Sequence, residues 1–152
     1  MPTSTHNNAS RVLTLAAPAV QRPELVSPIS EGTARLLGAL GVFGIALVHI
    51  LDAAGTYHST RWIFWAYMAL IVAAVPVTLL LLHWSSPLAW ALAAGLAIGP
   101  FVAYLWSRSI GLPGDRPDIG NWLCTLGMVA LFIEASLLAL SLKRFGFGRR
   151  SR

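Results

Sequence analysis

The chain has 152 residues, of which 56% are hydrophobic and only 11% charged, and its formal net charge is +5. A soluble domain carries about 25% charged residues, so this sequence has too little charge to coat a water-facing surface, and its apolar excess excludes disorder over most of the chain. A single cysteine, Cys124, excludes an intramolecular disulfide and any multi-cysteine metal or redox motif.

Residues 1–32 are rich in Ser, Thr, Asn and Pro and read as a flexible segment. The first apolar run starts only after them, too late for a cleavable signal peptide. Four runs then reach the roughly 20 residues that cross a bilayer as a helix. They cover about 34–54, 62–82, 88–106 and 119–142. The second and third carry no charge, and the fourth encloses one acid, Glu134. Backbone groups in lipid must bond within their own segment, and no alternating strand pattern suggests a barrel. The expected fold is therefore all-α, a transmembrane four-helix bundle running up-down-up-down over 33–143, followed by a basic tail, 144–152.

The links between spans are short, as antiparallel neighbours allow. The last contains Gly111-Leu112-Pro113-Gly114, a double turn signal, and Asp118, a natural N-cap for the fourth helix. Four spans put both termini on one side. That side carries Arg11, Arg22, Arg35, Lys143, Arg144, Arg149, Arg150 and Arg152, against Arg61, Arg108 and Arg116 opposite. The positive-inside rule then places both termini in the cytoplasm of a plasma membrane. The basic tail is expected to meet anionic lipid headgroups, and no folded reading module accompanies it to suggest nucleic acid. Trp62, Trp65, Trp84, Trp90, Trp106 and Trp122 all fall near predicted headgroup levels, where indole anchors a span.

Helix association in lipid relies on small residues that let backbones approach. Ala91, Gly95, Gly99 and Ala103 form a ladder at four-residue spacing in the third span. Ala34, Gly38, Gly41, Ile45, His49 and Asp52 share one sector of the first, and Gly120, Cys124, Gly127 and Glu134 align in the fourth. These three faces are expected to meet at the bundle centre. Pro76 and Pro100 are expected to kink their helices.

Among the polar residues, Glu134 is the most informative. An acid near mid-span costs at least about 3 kcal/mol and usually faces protein interior or water. It reads as a carboxyl handling a proton or a cation, or as a hydrogen-bond donor that fixes packing. His49 and Asp52 share a helical face near the outer end of the first span, with His58 in the adjoining loop. These three are candidate metal ligands of an incomplete set, and an interhelical hydrogen bond from His49 is the commoner use. His83 lies at the inner boundary while His49 lies outward of the midplane, a poor axial pair, so no haem or other cofactor is expected. No Ser-His-Asp order, phosphate-binding glycine loop or paired-cysteine motif occurs, and no catalytic activity is expected.

His49-Ile-Leu-Asp52, the GLPG loop at 111–114, Asp118-Ile-Gly-Asn-Trp122, and Leu126-Gly127 followed by Glu134 together resemble small uncharacterised four-helix membrane proteins of high-GC Gram-positive bacteria. The resemblance spans roughly 35–142 and implies the same architecture and a bacterial plasma membrane. The leading functional expectation is a non-catalytic accessory or scaffolding subunit, associating with other membrane subunits or with itself. A quinone- or metal-associated redox component is the first alternative, and a proton-coupled transporter using Glu134 the second.

Overall fold

In the computed structural model, residues 29–84 and 86–150 are described, with side chains through Phe145. The expected segment 1–32 falls almost wholly outside them, as do most side chains of the basic tail. The described chain is helical, with α1 at Glu31–Ser59, α2 at Arg61–His83, α3 at Pro87–Ser109 and α4 at Thr125–Arg150. All four are long and apolar enough to cross a membrane, with mean hydropathies of 2.0, 2.3, 1.8 and 2.0.

Local chemistry sets the helix starts. Ser30 Oγ accepts from Thr33 N at 3.2 Å and caps α1. Ser86 Oγ accepts from Ala89 N at 3.1 Å, and Pro87 occupies the first turn of α3, where its missing N–H costs nothing. Helix α1 outruns its apolar stretch to Ser59, so Thr60 alone separates it from α2. Hydropathy marks where lipid begins, whereas the backbone ladder continues through polar residues to the next break. Neither Pro76 nor Pro100 interrupts its helix.

The fourth helix corrects the sequence reading. It starts at Thr125, not near residue 119, and continues to Arg150, past the expected boundary at 142. Asp118 does not cap it. Arg116–Asp118 form a short 3-10 turn, the Asp118 carboxylate pairs with Arg108, and Gly120 at φ +81° turns the chain away from a helical path.

Helix α1 packs most closely on α2 and α4, and α3 packs on α4, while α3 meets α1 and α2 far less. One end of the molecule is well filled. There Ala34, Val42, Ile45, Val77, Leu81 and Leu137 join Ala89, Ala93 and Ala97 in a single core. Trp90 lies in that core at 3% exposure, which its expected anchoring role does not describe, whereas the other five tryptophans are exposed. The room comes from Gly38, where an added Cβ would meet the Trp90 ring at 2.9 Å. Arg144 stands over the same ring and pairs with Glu31, and Arg35 donates to the carbonyls of Leu81 and Leu82. These contacts tie together the start of α1, the end of α2, the start of α3 and the end of α4.

The small residues divide into two sets. Gly38 and Gly41 make close contacts, Gly41 with Leu137, and Gly127 lies so tightly under Tyr104 that a Cβ would collide with the ring. Gly44, against Ile133, belongs with them and was not singled out from the sequence. The third-span ladder behaves otherwise. A Cβ at Gly95 or Gly99 would meet nothing within 4 Å, and Ala91 and Ala103 are exposed. The small residues of α3 that pack are Ala89, Ala93 and Ala97, two positions away. A shift of two residues is about 200° around a helix, so the packing ladder lies nearly opposite the expected one.

Candidate functional site

The end of the bundle away from that core is hollow. A cavity of about 690 Å³ is lined by all four helices and by the α3–α4 loop. Gly95, Gly99 and Ala103 form part of its wall, so the ladder whose sequence suggested a packing face opens space instead. Pro100, in the same wall, has no N–H to give the carbonyl of Leu96 one turn earlier, also a lining residue.

Helices α1 and α2 supply one polar side. His49 is buried, and its Nδ1 donates to the Ile45 carbonyl at 2.8 Å. Its ring meets that of Tyr67 edge-on, with centroids 4.7 Å apart. The Tyr67 hydroxyl donates to Asp52 Oδ2 at 3.0 Å. His49 and Asp52 are thus brought to one wall, with Tyr67 bridging them. His58 is not part of this group: it lies outside the lining, with its ring edge-on to Tyr57. Among the described residues, no three His, Cys, Asp or Glu side chains gather as they would around a metal ion.

The loop covers the same end. Gly111 and Gly114 have φ of +84° and +82°, a region L side chains rarely adopt, which is why the turn needs glycine at both places. The loop is then fastened to the α1–α2 corner, since Trp62 Nε1 donates to the Pro113 carbonyl at 2.8 Å and Thr60 Oγ1 to that of Gly114 at 3.2 Å. Arg108, buried near the end of α3, pairs with Asp118 and stacks over Tyr104 at 4.8 Å. Tyr104 donates in turn to the Trp122 carbonyl at 3.0 Å. Burial and the neighbouring Asp118 carboxylate hold the Asp115 carboxyl above its ordinary pKa.

Helix α4 supplies the deepest polar group. Glu134 lies nine residues into the helix, about 14 Å from its start. It is 1% exposed, lines the cavity, and its Oε2 has no hydrogen-bond partner. A buried polar atom in this condition is rare in folded proteins. Cys124, just before α4, and Gly127, in its first turn, also line the cavity.

Sequence reasoning found Glu134, His49 and Asp52 but treated Arg108 only as a topological charge and passed over Tyr67, Tyr104 and Asp115. The signals were present: Tyr67 and Tyr104 are polar-tipped residues inside apolar spans, and Arg108 and Asp118 flank the GLPG turn with opposite charges.

The sequence matches no protein-family model, no curated protein and no solved structure.

Proposed function

We propose that the chain is a multi-pass plasma-membrane protein that binds a small ligand within the bilayer, with Glu134 as the group that anchors it. The single observation carrying this reading is the unpartnered Glu134 carboxyl in the wall of a cavity of about 690 Å³. Ligand sites commonly span about 300–1,000 Å³, with mostly apolar walls and a few convergent polar groups. A carboxyl kept only as packing glue would be bonded to a neighbouring helix. The cavity favours this reading over the accessory-subunit expectation, and the separation of His58 from His49 and Asp52 favours it over a metal-based redox site. The helices run up-down-up-down with both termini cytoplasmic, on the balance of basic residues, so the cavity lies toward the outer face.

Cysteine labelling tests it. Gly99 lines the cavity with open space at its Cβ position, and Val102 is exposed outside the lining. In a Cys124→Ser background in intact membranes, Gly99→Cys is expected to react with a cationic methanethiosulfonate while Val102→Cys stays unmodified in lipid. An unreactive Gly99→Cys would mean that no water-borne ligand enters, and the reading falls.

A further inference from the structure

The charge of the cavity is opposite to that of the chain. Among the described side chains, four of the five acidic residues line it, namely Asp52, Asp115, Asp118 and Glu134, against one of the six lysines and arginines. That one, Arg108, is already paired with Asp118. A low-dielectric wall focuses such a field and raises the local concentration of cations.

We propose that the cavity binds a protonated primary amine with an apolar body, its ammonium group on Glu134. This rests on the ligand-binding reading above and adds the class of ligand. Glu134 Oε2 has no partner and is free to accept a hydrogen bond, and an ammonium would both donate that bond and neutralise the carboxylate. Charge-assisted bonds of this kind are short and roughly twice as strong as neutral ones. A quaternary ammonium carries no N–H to donate. A bare metal ion needs several ligands, and no such cluster exists among the described residues. The remaining space selects the body of the ligand. Val48, Ile63, Leu70 and Leu96 present apolar walls, and about 690 Å³ is far more than an inorganic cation fills. Tyr67 and Tyr104 add ring faces and edges suited to an aromatic or aliphatic chain.

The test uses the full chain in lipid nanodiscs and equilibrium dialysis, with empty nanodiscs subtracted. Three probes share one body: 2-phenylethylamine is a cation, 2-phenylethanol is neutral and 3-phenylpropanoate is an anion. The amine is expected to bind at least about tenfold more tightly than either of the others, the size of one charge-assisted hydrogen bond. Glu134→Gln keeps the side-chain shape. It is expected to weaken amine binding by a similar factor and to leave the alcohol unchanged, which also reports that the cavity remains folded. Equal binding of the three probes or preference for the anion would each overturn the amine proposal while the ligand-binding reading stands, whereas amine binding indifferent to Glu134→Gln would overturn the amine proposal and also remove Glu134 as the anchor of that reading. Binding of none of them overturns it too, and the Gly99→Cys labelling then decides whether the ligand-binding reading fails with it.

Discussion

At the scale of single residues, the glycines separate by what surrounds them rather than by their spacing. Gly38 touches the Trp90 ring in the filled end of the bundle, and Gly99 faces open space. A methyl group at Gly38 would force the ring or the α1 backbone to move, and overpacking of this kind costs about 1–3 kcal/mol. Gly38→Ala is therefore expected to lower thermal stability in detergent. Gly99→Ala adds a methyl without collision and is expected to match or exceed the parent. A melting temperature for Gly99→Ala as low as that of Gly38→Ala would place a packed surface where the structure has the cavity wall. Glu134 illustrates the complementary case. Its depth and charge were evident in the sequence, but that its carboxyl lacks a partner depends on which side chains the other three helices bring near it.

At the scale of elements, the α3–α4 loop holds its shape through a few long-range bonds. The Arg108–Asp118 pair closes the loop on itself, and Trp62 and Thr60 fasten it to the α1–α2 corner. The buried guanidinium also stacks on Tyr104, so its loss removes packing as well as charge. Arg108→Gln is expected to speed amide hydrogen exchange across residues 112–121 by about tenfold, equivalent to about 1.4 kcal/mol of local stability. Exchange in the middle of α1 and α2 should be unchanged. Equal acceleration throughout would mean that the pair supports the whole bundle rather than the loop. The GLPG signal correctly marked a turn, but the same stretch misled on α4: an Asp after a Pro is a plausible cap until a buried Arg competes for its carboxylate.

For the whole molecule, the proposed orientation, with both termini cytoplasmic, rests on charge, since eight basic residues flank the terminal side and three the other. With Cys124 replaced by serine, Arg116→Cys is expected to be labelled from outside intact cells by an impermeant thiol reagent, and a cysteine near residue 147 to be protected. The reverse pattern would put the mouth of the cavity in the cytoplasm and make its ligand an intracellular one.

Four helices were legible in the sequence because hydropathy is a property of each segment alone: lipid demands about 20 apolar residues with internally bonded backbones, whatever the segment packs against. Glu134 was legible for the same reason, as an acid that lipid penalises wherever its helix lies. Packing depends instead on pairs of surfaces. Helix α3 carries two ladders of small residues, Ala89-Ala93-Ala97 and Ala91-Gly95-Gly99-Ala103, on nearly opposite sides. Nothing within α3 ranks one above the other. The choice rests on neighbouring helices, with the Gly38–Trp90 contact and the Ala89, Ala93 and Ala97 core at one end. Only that tertiary choice left Gly95, Gly99 and Ala103 lining a cavity with Glu134, Asp52 and Tyr67.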